Sequence, residues 1–330
     1  MKKVKNIILI VVLISVFVII GCSKNGIFET TYDNGQKKSE INYKHGKQDG
    51  LCTWWYENGQ KATEENFRDG KRHGLSIEWY KNGQKKSKNN YKHGKLDGKW
   101  TFWFENGQKK SEGNFRNDNW DSLCAWWYEN GQKYAEINFK DGKRHGLSIE
   151  WYKNEQKKSE INYKHGKPDG LCTSWYENRQ KKSEANSKDG HRDGARTTWY
   201  ENGQKKSEYN YKVGKRDGLC TWWYENGQKK SEANYKDGKQ HGLIIGWHDN
   251  GQKKFEVNYK DGKWDGIRTF WYSNGQKQSE SNIKDGKRDG VYTRWYENGQ
   301  KQSVIKYKDG KCIELIKEPV KKEDEEQTTE

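Results

Sequence analysis

The side chains of this chain best suited to chemistry are eight histidines and six cysteines, and most of them recur in the columns of one spacing. His45, His93 and His165 occupy one column of a 24-residue frame, and His73, His145 and His241 another. Other copies of both columns hold mostly Asp, so these histidines read as polar turn residues rather than metal ligands or acid–base groups. None falls beside a fixed Cys, Ser or Asp partner at catalytic spacing. No glycine-rich phosphate loop leads from a strand into a helix. The expectation is therefore a non-enzyme with no catalytic residue, no cofactor and no metal site.

The cysteines give the same answer. Cys52, Cys124, Cys172 and Cys220 share one column, and the nearest pair is two repeats apart. At strand spacing that is about 20 Å, against the roughly 7 Å Cα limit of a disulfide. Free thiols packed as small residues are expected, with Cys312 also unpaired.

Aromatic residues remain. A Trp column runs from Trp55 to Trp295 at every 24th position and reads as stacking between repeats. Trp54, Trp126 and Trp222 fall outside it, on the other side of their strand. Together with Tyr56, Tyr128, Tyr224 and nearby lysines they are the candidate binding surface, an aromatic and basic face suited to a protein, an anionic lipid or a glycan.

What must position these residues is a repeat. Asn-Gly or a close variant recurs from Asn34 to Asn298 at every 24th residue without insertion or deletion, which predicts one array rather than several unlike domains. Only 30% of residues are apolar, yet Trp numbers 17 and Tyr 20. Disordered chains are poor in aromatics, so a thin aromatic layer is expected in place of a thick aliphatic core.

The repeat 219–242 shows the local logic. Leu219–Tyr224 is rich in Thr, Trp and Tyr, Asn226-Gly227 is a hairpin signal, and Lys229–Lys236 is the returning strand. The fold class expected is all-β, an elongated array of β-hairpins forming a twisted antiparallel meander sheet. A three-residue loop with a bulge would put Leu219, Thr221 and Trp223 on one face with Ser231, Ala233 and Tyr235, leaving Lys230, Glu232, Asn234 and Lys236 opposite.

The ends differ in composition. Lys2, Lys3 and Lys5 precede an apolar run from Ile7 to Ile20, and Ile19-Ile20-Gly21-Cys22 looks like a bacterial lipobox. Residues 1–21 are expected to be a lipoprotein signal peptide, Cys22 the lipid attachment site, 22–26 a short linker, 27–314 twelve repeats and 315–330 a charged, disordered tail. Net charge is +16, or +13 without the three leader lysines. Basic charge with aromatics could suit nucleic acid. Export instead points to a protein, anionic lipid or glycan, with the membrane itself engaged through Cys22. The location expected is the cell envelope: the outer membrane or cell surface in a diderm host, and the outer face of the plasma membrane in a monoderm.

Tyr235-Lys236-Asp237-Gly238-Lys239-Gln240-His241-Gly242, followed by Trp247 and Asn250-Gly251, resembles the MORN-repeat variant family, which includes the proteins called YwqK-type antitoxins. The resemblance implies hairpin arrays acting as binding or scaffolding surfaces, often toward membrane lipid. The antitoxin label implies, as an alternative, an immunity-like protein that blocks a toxin. Glu155 and Arg179 depart from the pattern at the hairpin Gly, Asp118 and Ser122 at the return-turn Gly, and Ser187 at the second-strand aromatic. Strain is expected there, with a kink near 117–122.

Overall fold

The computed structural model describes residues 24–317. Cys22, the expected lipid attachment site, and the leader fall outside them, as does the tail beyond Lys317. All regular structure among the described residues is antiparallel β-strand, in two compact units divided between Lys95 and Leu96. The first unit runs as a meander from Gly26–Thr31 to Lys85–Lys92. The second runs from Gly98–Trp103 to Lys311–Lys317, so its last strand continues three residues past 314. Within each unit the long strands pair with their neighbours in sequence.

The hairpin is built on a three-residue loop. Gly227 N donates to Tyr224 O at 3.0 Å, Tyr224 N donates to Gln228 O at 2.8 Å, and Gly227 sits at φ +86°. Asn226 serves this loop twice. Its Oδ1 accepts from Gln228 N at 3.0 Å, and its Nδ2 donates to Asp249 O of the next hairpin at 3.2 Å. Tyr224 Oη likewise donates to Trp247 O at 2.8 Å. The same tyrosine bond, spanning 23 residues, recurs at Tyr32, Tyr56, Tyr128, Tyr152, Tyr176, Tyr200 and Tyr272.

Face assignment corrects the sequence expectation. Trp223 pairs with Lys229, but Trp222 pairs with Ser231, Thr221 with Glu232 and Cys220 with Ala233. Lys230 is thus an extra residue, and a bulge of one residue moves every later side chain of that strand to the other face. Ser231, Ala233 and Tyr235 lie with Cys220 and Trp222, not with the Trp column. Leu219, Thr221 and Trp223 lie with Glu232 and Asn234.

Two thin layers result. On one face of its own unit's sheet each of Cys52, Cys124 and Cys220 is fully buried. On the other, Thr53 and Thr221 are buried, and the Trp column is half-buried beneath lysines. Lys229 Nζ lies 5.9 Å from the Trp247 ring centroid and 2.6 Å from Glu232, an arrangement that repeats along the array. Leu219 stays 46% exposed, so the aliphatic start of the strand is no core position.

Strand pairing continues across 117–122 with its bulge displaced: Asn114 pairs with Asp121, whereas the equivalent Asn234 is skipped and Ala233 pairs with Ile244. Asn117, Asp118 and Ser122 take φ of +49°, +67° and +66°, and Asp118 N still donates to Leu96 O at 2.9 Å. Arg116 pairs with Asn119 and Phe115 with Trp120, as their counterparts do elsewhere. The chain absorbs the missing glycines as local strain.

Candidate functional site

Cross-repeat bonding decides how much of the candidate surface is free. The hydroxyls of Tyr56, Tyr128 and Tyr224 all donate to backbone carbonyls of the following hairpin, at 2.7, 3.2 and 2.8 Å. Their rings, half-buried, remain available at the surface. Trp54, Trp126 and Trp222 are half-buried as well, each against its own neighbours. Trp54 packs edge-on to Phe67 at 6.4 Å. Trp222 donates from Nε1 to Tyr209 Oη at 3.0 Å, with Arg216 over its ring. Trp126 and Trp222 lie four repeats apart in one meander, so the candidates form separate patches.

One patch is richer than the others. Trp126 joins an aromatic cluster through Trp120 at 5.6 Å and Phe139 at 6.4 Å, and Trp120 continues it to Trp100 at 5.0 Å and Phe115 at 4.8 Å. Trp100 is only 1% exposed, in a column that holds Cys124 one repeat on. It fits because Gly113 stands opposite: a Cβ there would lie 2.5 Å from Cys124 Sγ and 3.0 Å from Trp100 Nε1.

Beside this cluster lies a cleft of about 510 Å³, lined by Phe104, Trp126, Trp127, Tyr128, Tyr134, Lys110 and Lys153, with Glu129 and Asn130 at its rim. Three hairpins build it. The rings of Tyr128 and Tyr134 meet at 5.0 Å and 43°. Lys110 Nζ lies 5.5 Å from the Phe104 centroid and Lys153 Nζ 5.8 Å from that of Tyr128. Burial, then Tyr128 and Glu150, holds the Tyr134 hydroxyl above its ordinary range, so it stays protonated. Asn130 Nδ2 donates to Gln132 Oε1 within its own loop, and Gln132 Nε2 to Glu155 Oε1.

Trp126 and Tyr128 are the candidates that line this cleft. Phe104, Lys110, Tyr134 and Lys153 are additional, and most of them carry a sequence signal as column exceptions. Phe104 stands where Tyr is usual, Tyr134 where Lys is usual, and Lys153 where Glu is usual.

The histidines meet in a way that columns did not suggest. His73 and His93 rings lie 5.3 Å apart, and those of His145 and His165 5.5 Å. Burial, then Arg68, His93 and Lys92, pushes the His73 pKa down. Its Nδ1 and that of His145 are buried without a partner. Among the described residues no group of three or more His, Cys, Asp or Glu is arranged to hold a metal ion. The thiols of Cys52, Cys124 and Cys220 are raised by burial, Cys124 to about 11, which keeps them protonated and unreactive.

The model of the MORN repeat variant matches eleven segments of the chain: 24–45, 48–69, 72–93, 96–117, 122–141, 144–165, 192–212, 216–237, 240–261, 264–285 and 288–309. The chain belongs to the MORN repeat variant family. The MORN segments cover well over half of the sequence, and the unmatched stretch between 165 and 192 holds two departures, Arg179 and Ser187. Its strands, Lys167–Trp175 and Lys181–Lys188, keep the pairing of the matched repeats. No curated protein matches the chain. Among solved structures, similarity is found to the structure titled "Crystal Structure of TcdB2-TccC3", at 10% identity and a TM-score of 0.18. That alignment covers 87% of this chain and 18% of the other.

Proposed function

We propose that this protein is a non-enzymatic, membrane-anchored lipoprotein of the cell envelope, a MORN array that presents binding surfaces to a partner while Cys22 tethers it. The observation that carries the binding role is the cleft at Phe104–Lys153, where aromatic rings and lysines from three hairpins converge on open space. Aromatic residues whose rings stay accessible while their polar ends are tied down lose little freedom on binding, which favours recognition. The non-enzymatic reading is supported by thiols held protonated at buried packing positions. The anchor rests on the basic leader, the apolar run and Gly21-Cys22.

Cell fractionation with metabolic lipid labelling, comparing wild type with Cys22→Ala, tests this. A labelled, membrane-bound wild type exposed to protease on intact cells, beside an unlabelled variant, is the expected result. If both remain in the cytoplasm, the envelope reading fails and inhibition of a cytoplasmic toxin, the YwqK-type alternative, becomes the one to pursue.

A further inference from the structure

Resting on the scaffold reading, we propose that the cleft between Phe104 and Lys153 binds a pyranose sugar that carries an anionic group, carboxylate or phosphate. Its volume, about 510 Å³, lies within the range of small-ligand sites. Tyr128 and Tyr134 pack tilted against each other, centroids 5.0 Å apart at 43°, so Tyr128 backs the Tyr134 ring and the face of Tyr134 left free is where the C–H face of a sugar ring can stack. Tyr134 is 37% exposed and so presents its ring to solvent.

Charge selects among ligands. Lys110 and Lys153 already occupy cation–π positions over Phe104 and Tyr128, so a cationic ligand would have to displace them, whereas an anion adds to them. Glu129 at the rim offers an acceptor to a ring hydroxyl.

The array supplies its own comparison. Two repeats further on, the equivalent groove of about 410 Å³ is lined by Tyr152, Tyr176, Glu177, Asn178, Lys182 and Glu201. Lys182 there takes the place of Tyr134, and Glu201 the place of Lys153. Ser174 stands where Trp126 does. The backbone is the same, yet the aromatic pair is halved and the second cation has become an anion. The specificity of the first cleft therefore lies in Tyr134, Lys153 and Trp126.

Isothermal titration of the mature chain with trigalacturonic acid, a 6-phosphorylated mannose disaccharide and neutral galactotriose tests the proposal. At least one acidic sugar should bind tenfold or more tightly than the neutral one, and which of the two binds identifies the anionic group. Tyr134→Ala copies Ala62, which holds this place in another repeat, so the fold tolerates it without adding charge, and circular dichroism checks that. It should weaken binding of the acidic sugar at least tenfold. Lys153→Glu should abolish the preference for acidic sugar. Failure of both acidic sugars to bind at millimolar concentration, or unchanged binding by Tyr134→Ala, overturns the inference. Membrane attachment through Cys22 is read separately by fractionation, so loss of the sugar site and loss of the envelope scaffold are distinguishable results.

Discussion

A single glycine decides whether Trp100 can be buried. Gly113 has no positive φ to explain it, and its role is the space it leaves for Trp100 and Cys124. Gly113→Ala should destabilise the second unit by about 1–3 kcal/mol through overpacking. Urea titration would show this, and the loss should be smaller in a Cys124→Ala background, which removes the sulfur 2.5 Å from the added Cβ. Equal losses in both backgrounds would contradict the account. The Cys124 thiol supplies a pH test. Its folded pKa, about 11, exceeds the ordinary 9.0, so the stability from keeping it protonated is complete below pH 9. That contribution is lost as pH rises through 11, with a slope of at most about 1.4 kcal/mol per pH unit. Cys124→Ala should flatten the fall in stability between pH 9 and 10.5 relative to wild type. Parallel curves would show that burial of this thiol carries no such linkage.

The hairpin is where sequence and structure agree best, and where they part. Period and strand content are legible because Asn-Gly or a close variant recurs every 24 residues between strand-forming runs. Asn-Gly suits a two-residue turn as well, and the apolar-face argument that favours a three-residue loop names the wrong face. The face assignment is not legible, because Lys230 bulges from an ordinary Lys-Lys-Ser run that carries no glycine or proline. Trp126 and Tyr128 stand out as aromatic residues, but their cleft is completed by Phe104 and Lys153 from neighbouring hairpins, which only the strand register brings together. Loop strain is also an element property. Arg179 holds φ +72° where other hairpins place glycine, and its N–H reaches Tyr176 O at 3.1 Å. Arg179→Gly should stabilise the second unit by about 1 kcal/mol. Glu155→Gly should gain less, because Glu155 Oε1 accepts a bond from Gln132 that glycine would forfeit. Thermal denaturation ranks the two, and the opposite order would refute the argument.

At the scale of the whole chain, the side-chain links run to the next hairpin. The Tyr-to-carbonyl bonds and the Asn-to-carbonyl bonds span 23 residues each. Stability should then be a sum over repeats and their interfaces. Removal of Leu219–Gly242 in frame should leave a folded protein whose denaturant m-value falls in proportion to the residues lost. An unfolded product would instead reveal longer-range dependence. The meander has a mechanical consequence too. Under tension applied to its ends, its strand bonds load one after another from the edge and not all together, so the chain should unzip at low force, hairpin by hairpin. Each 24-residue step would release about 80 Å of chain at 3.4 Å per residue. In an optical trap that is a staircase of equal lengths, a compliant tether rather than a rigid strut.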